Sequence, residues 1–284
     1  MAGMKNDNRF IMLPTVDICF KALMSNPKVR KGFIAAVLGV APGEIRETKL
    51  LPTILRQDYP DDKLGVLDVR VLMEDGTQID IEMQVTYFEY WDARVLFYLS
   101  RMFTGQLKKG EPYDRLKKCI HVSVLDFNYF KDDEKCFRTI GFCDEETGEK
   151  YTDLMEIKIL ELRKLPEGLK EDSDILNWMR FLGGKGRREF EDMAKKDEYI
   201  GEAYMELERL SADEKARLEY EAREKAIRDY NSQMGSALRR GMEQGLKQGR
   251  EEGKTEGINY LISQMLERGA APEDIAGLTG IGLE

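Results

Sequence analysis

The stretch Leu64-Gly-Val-Leu-Asp68-Val-Arg70-Val-Leu-Met73, then Glu74-Asp-Gly76, then Thr77-Gln-Ile-Asp80-Ile-Glu82-Met-Gln84-Val85, decides how this chain folds. Val69, Val71 and Met73 recur at every second position, and Ile79, Ile81, Met83 and Val85 alternate with Gln78, Asp80, Glu82 and Gln84. A period of two is that of a strand with one buried face. Two such strands around Glu-Asp-Gly read as a β-hairpin with a three-residue turn, whose last position needs the positive φ that Gly76 adopts freely. Met73 then closes on Thr77. That register sets Asp68 opposite Glu82, Arg70 opposite Asp80 and Val66 opposite Gln84. A two-residue Asp-Gly turn would pair Asp68 with Met83 instead, on the wrong face.

Directly opposed side chains have Cβ atoms roughly 4.5–5.5 Å apart. Two carboxylates that close repel unless a proton or a cation lies between them. Their oxygens suit a hard divalent cation, Mg²⁺ above all, with Mn²⁺ or Ca²⁺ as alternatives. The plain alternative is a hairpin face whose charges are solvated, but Asp68 and Glu82 sit inside strongly apolar strands, which favours burial. Asp80 shares their face, and Arg70 opposite it suggests a structural ion pair.

The order Asp68, thirteen residues, Glu82-Met-Gln84 resembles the core of the PD-(D/E)XK nuclease superfamily. The flanks narrow the likeness: Asp17-Ile-Cys-Phe-Lys21 near the start, Arg94-Val-Leu-Phe-Tyr98 after the hairpin, then Gln106, Gly110-Glu-Pro-Tyr113, the run Cys119-Ile-His-Val-Ser-Val-Leu125, and a segment ending in Glu161-Leu-Arg-Lys-Leu165. Together they resemble the Rpn recombination-promoting nucleases, also described as PD-(D/E)XK nuclease family putative transposases. The resemblance implies a restriction-endonuclease-like α/β fold, a mixed sheet flanked by helices, with a helical C-terminal extension. It implies metal-dependent hydrolysis of DNA phosphodiesters, with Asp68 and Glu82 as metal ligands and Gln84 completing the catalytic set. Gln84 stands where most of the superfamily has Lys. A Lys would stabilise developing negative charge, whereas Gln orients water through hydrogen bonds alone. Asp17, Lys21, Arg94 and Tyr98 are the expected substrate contacts. Arg94 and Tyr98 share a helix face, and Arg94 suits a phosphate or a salt bridge. Asp17 suits a helix cap.

Composition sets the outer limits. The 284 residues carry 44 Lys and Arg against 53 Asp and Glu, a net charge of −9. Residues 1–130 hold 18 basic and 17 acidic side chains, and the remainder 26 and 36, so the acidity belongs to the later part. Any grip on DNA is therefore local, from Lys28, Arg30 and Lys31 or from Lys108, Lys109, Arg115, Lys117 and Lys118. Those clusters read equally as solvated faces. There is one histidine, His121, which excludes two-histidine metal sites and places any Ser-His-Asp triad on an apolar strand. There it would face solvent or a helix layer. The four cysteines lack zinc-knuckle spacing and read as reduced. No apolar run is long enough to span a membrane and no leader-like stretch opens the chain, so cytoplasm is expected.

The expected domains are a nuclease-like core over 1–165 and a helical region over 166–284. The second contains a long helix rich in Ala, Glu, Lys, Arg and Leu, then a tail with Gly241, Gly245, Gly249, Gly253 and Gly257 at every fourth position. In a helix these glycines make one slowly rotating stripe that permits close backbone approach. That suits a homo-oligomer formed through the C-terminal helix, or equally a frayed linker. Two functions follow: a DNA endonuclease tied to recombination or mobile elements, or a non-catalytic oligomer binding nucleic acid or protein on a nuclease fold.

Overall fold

A computed structural model describes residues 10–55, 63–166 and 173–279. The chain start read for a leader, and the segment before Lys63, lie outside the described residues. Two compact units are present, Met1–Lys225 and Ala226–Glu284.

The first unit is built on a six-stranded mixed sheet. Its strands are β1 (Thr48–Leu51), β2 (Val69–Met73), β3 (Gln78–Gln84), β4 (Cys119–Leu125), β5 (Phe137–Cys143) and β6 (Lys150–Glu161), in the order β1-β2-β3-β4-β6-β5. β2 pairs antiparallel with both β1 and β3, β4 pairs in parallel with both β3 and β6, and β5 closes the far edge antiparallel to β6. A parallel β3–β4 pair needs a crossover, and helix α3 (Trp91–Thr104) provides it. β4 is buried at every position, as expected for a strand covered on both faces.

One sheet face packs against helices α1 (Asp17–Ser25), α2 (Pro27–Leu38), α4 (Asp174–Gly183) and α6 (Glu198–Ala212). Val71, Ile79, Ile81, Ile120 and Val122 share one apolar cluster there with Phe20, Phe33 and Trp178. The α1–α2 break falls where Asn26-Pro27 places it: the Asn26 side chain accepts from the N–H groups of Lys28 and Val29, and Pro27 opens α2. Gly32 on α2 is required by close packing, because a Cβ there would overlap the Tyr199 side chain of α6. The expected boundary at residue 165 lies inside this unit. Helices α4, α5 (Arg187–Ala194) and α6 bury Trp178, Phe181, Phe190 and Leu207 in the same cluster as the strands, so they share the sheet's core.

Helix α7 (Glu214–Glu267) begins in the first unit and continues through the second, where α8 (Pro272–Thr279) follows a turn at Gly269, φ 82°. The glycine repeat is thus helical, and a Cβ built on Gly241, Gly245, Gly249, Gly253 or Gly257 would meet nothing within 4 Å. Among the described residues no helix is long and apolar enough to cross a membrane.

Candidate active site

The hairpin forms in the register that its turn dictates. Val69 lies opposite Ile81, Arg70 opposite Asp80 and Val71 opposite Ile79. Met73 N–H donates to the Thr77 carbonyl at 2.8 Å, and Gly76 takes φ 89°. The Asp75 carboxylate locks the turn by accepting from Thr77 N at 2.8 Å and Thr77 Oγ1 at 3.0 Å. The ladder ends three pairs earlier than expected on the open side. Val66 does not face Gln84; it bridges to Ile54, and Leu67 N–H donates to the Thr53 carbonyl at 2.9 Å. The strand turns there because Leu55 and Leu67 bury together under α3, beside Tyr98, Leu99 and Met102.

Asp68 stays beside Glu82 although it stands just outside the ladder. Asp68 N–H donates to Glu82 Oε1 at 3.2 Å, and Met83 N–H donates to Asp68 Oδ2 at 3.3 Å. Each acid is therefore tied to the other strand's backbone, which fixes both carboxylates on one face. Two cations from different helices neutralise them. Lys21 Nζ of α1 lies 3.0 Å from Asp68 Oδ1, and an Arg94 guanidinium nitrogen of α3 lies 3.1 Å from Glu82 Oε2. Arg94 also stacks over the Tyr98 ring, 5.1 Å from its centre.

Beneath this pair runs a second polar row. Asp80 Oδ2 is 2.7 Å from His121 Nδ1, and His121 Nε2 is 2.7 Å from Ser123 Oγ. All three side chains are buried. One tautomer satisfies the row, with Nδ1–H donating to Asp80 and Nε2 accepting from the Ser123 hydroxyl. The expected Arg70–Asp80 ion pair does not form: Arg70 donates to Gln78 Oε1 at 2.8 Å, and Asp80 turns to His121 on the neighbouring strand. Of the two orientations open to His121, the structure takes the helix layer under α3. With all three members buried, the row is no nucleophilic triad in reach of a substrate.

The electrostatics follow from burial. Glu82 is 6% exposed, and burial, followed by the nearby Asp80 and Asp68 carboxylates, pushes its pKa up to about 8. Asp80 is raised in the same direction by burial, against the pull of His121. A buried carboxylate crowded by like charges gains most from a cation. Asp68 and Glu82 offer a two-carboxylate set of the kind Mg²⁺ accepts while keeping several waters. Asp80 Oδ1 adds a buried oxygen without a hydrogen bond nearby on the same face. Among the described residues there is no group of three or more metal-ligating side chains, so any ion held here would lean on water for most of its shell. These residues fit such an ion.

Gln84 sits half-buried at the C-terminal end of β3, its Nε2 donating to the Thr86 carbonyl at 2.9 Å. Asp17 stands in the first turn of α1, one residue after the cap position held by Val16; it makes no capping bond and lies 3.7 Å from Arg223. Lys21, Arg94 and Tyr98 gather at the carboxylate pair, and Asp17 does not join them. Half of the side chains in the basic clusters are engaged elsewhere. Arg30 is buried and donates to the carbonyls of Met24, Ser25 and Thr48. Lys28 pairs with Glu198 and Lys118 with Glu156, each at 2.9 Å.

A family model described as PD-(D/E)XK nuclease family transposase matches residues 14–237. The chain matches no curated protein and no solved structure.

Proposed function

The chain belongs to the PD-(D/E)XK nuclease family of transposases, and from that premise we propose that it is a divalent-metal-dependent DNA endonuclease serving recombination or mobile elements. The observation that carries this reading is the Asp68–Glu82 pair, fixed by reciprocal backbone bonds and left with a Glu82 carboxyl whose pKa is pushed up to about 8.

We assign Asp68 and Glu82 as the ligands of one Mg²⁺, with Mn²⁺ or Ca²⁺ as substitutes. Such an ion supplies a water of lowered pKa and neutralises charge on the scissile phosphate. Gln84 orients the attacking water, its amide plane held by Thr86. The cation that the usual Lys would provide at position 84 comes instead from Lys21 and Arg94, already at the two carboxylates. Both are placed to pass from carboxylate to phosphate when DNA enters, and Tyr98 keeps the Arg94 fork oriented. The nuclease core is assigned to residues 1–165, buttressed by the helices that follow, and cytoplasm is kept as the location.

We also assign homo-oligomerisation to α7. Met234, Leu238, Met242 and Leu246 form an exposed row at every fourth position, beside the row of Gly241 and Gly245. Four residues exceed the 3.6 of one turn, so both rows wind with the hand that suits right-handed helix pairs.

The decisive test is Asp68→Ala. Mg²⁺-dependent plasmid nicking, sensitive to EDTA, is expected in the parent and lost in the variant with an unchanged circular dichroism spectrum. Undiminished nicking would refute the assignment. The second reading, binding without cleavage, is favoured by Gln84 in the place of Lys. Retained DNA binding with no turnover in Mg²⁺, Mn²⁺ or Ca²⁺ would establish it.

A further inference from the structure

Beside the carboxylate pair lies a groove of about 650 Å³. Its walls are Phe88, Tyr90, Phe97 and Tyr98, with Leu64 and Val66. Tyr90 is 62% exposed and Phe88 44%, their rings meeting edge to face with centres 6.2 Å apart. Leu64 and Val66 are exposed as well. Large apolar groups gathered on an open surface mark a binding site. The groove carries two cations and, among its described lining, no acid: Lys63 and Arg94. Arg94 also reaches Glu82 at 3.1 Å, so groove and carboxylate pair are continuous through one side chain.

We infer that this groove receives an unpaired nucleobase, and that the substrate at this site is single-stranded DNA, which a supercoiled plasmid offers where its strands separate. The inference rests on the nuclease reading above and adds the substrate class. A strand whose phosphate lies between Arg94 and the carboxylate pair has its adjacent base beside the rings. Aromatic side chains accept any base by stacking, which is how proteins hold single strands without reading sequence. A base inside a duplex shows only its edge and enters such a groove only after flipping out of the stack. Charge points the same way. Residues 1–130 are nearly neutral, 18 basic against 17 acidic, and half of the eight side chains in their two basic clusters, Arg30, Lys28, Arg115 and Lys118, are occupied by protein partners. Duplex binding draws mainly on many phosphate contacts, and this surface offers few. Stacking supplies affinity where phosphate contacts are scarce.

The test uses the full chain carrying Asp68→Ala, which removes cleavage, and a fluorescent oligothymidylate of about 20 nucleotides, long enough for one binding site. Its anisotropy is compared with that of a blunt hairpin duplex of equal length. The single strand is expected to bind at least about 10-fold tighter. Adding Tyr90→Ala and Phe88→Ala should weaken the single strand by about 5- to 150-fold, the range of one stacked base, and leave the duplex unchanged. Tyr90→Phe, which keeps a ring, should bind like the parent and guards against misfolding. Equal affinity for both probes, or indifference to Tyr90→Ala with Phe88→Ala, overturns the inference. The two readings fail separately. In the chain with Asp68 retained, duplex cleavage untouched by the ring substitutions sinks the groove and leaves the nuclease standing. Ring-dependent strand binding with no cleavage in any of the three metals does the reverse.

Discussion

Two regions of this chain hold residues that work against folding, and they answer the cost differently. In β3 the cost is charge: Asp80 and Glu82 are buried in a sheet. In α7 it is entropy: five glycines at every fourth position each cost about 1 kcal/mol relative to alanine. The β3 acids have partners in the same fold, namely His121, Arg94 and the backbone N–H of Asp68 on the facing side of the hairpin. The α7 glycines have nothing within 4 Å of where a side chain would begin. The first region is organised in the folded unit itself. The second presents a surface still to be matched, which is why we assign it to a second copy of the chain.

The largest effect should come from breaking the β3 arrangement at its deepest point. His121→Ala leaves Asp80 buried without its partner, and removal of one member of a buried pair costs about 3–5 kcal/mol. Urea denaturation should register that loss, and a change below about 1 kcal/mol would mean that the row is not held by this contact.

A second substitution sharpens the contrast through pH. The Glu82 carboxyl, pushed up to about 8, prefers its proton in the folded chain. An unfolded Glu ionises near pH 4.3, at roughly the model-peptide value. The stability contributed by the protonated form is therefore complete below that pH and is lost as pH rises to about 8, with a slope of at most about 1.4 kcal/mol per pH unit. In EDTA, Glu82→Gln should lose less stability than the parent between those limits. Parallel melting curves would show that the carboxyl ionises normally. The metal-loaded protein should move the other way with pH, since a ligand carboxylate must be deprotonated.

The smallest effect belongs to α7. Gly245→Leu should raise helicity by about 1 kcal/mol of local stability. If the glycine row faces a second copy, it should also shift the oligomer toward monomer in size-exclusion chromatography. An unchanged apparent mass would break the assignment of self-pairing.

Much of the site was legible before any coordinates. Glu74-Asp-Gly76 specifies one turn, that turn specifies one register, and the register brings Asp68 to Glu82. The alternating pattern sets Val66 opposite Gln84, because it carries no sign that Leu55 and Leu67 pull the strand sideways under α3. Opposition on adjacent strands predicts an Arg70–Asp80 pair, but the competing partner of Asp80 arrives from β4, across a helical crossover. Where the helices after residue 165 pack is hidden from the sequence for a related reason. A change in composition marks where helices begin, yet only packing shows that Trp178 and Phe190 complete the sheet's own core.

The sequence alone determined the hairpin, its register and the position of the acids along it, because turn chemistry and a two-residue period act over a few neighbouring residues. Tertiary structure alone decided that Lys21 and Arg94 would meet those acids, that Asp80 would rest on His121, and that the aromatic groove would open beside them. Those contacts join segments many residues apart. They depend on which strands pair in parallel and on how α1 and α3 settle on the two sides of the sheet, and burial free energy summed over the whole core selects both.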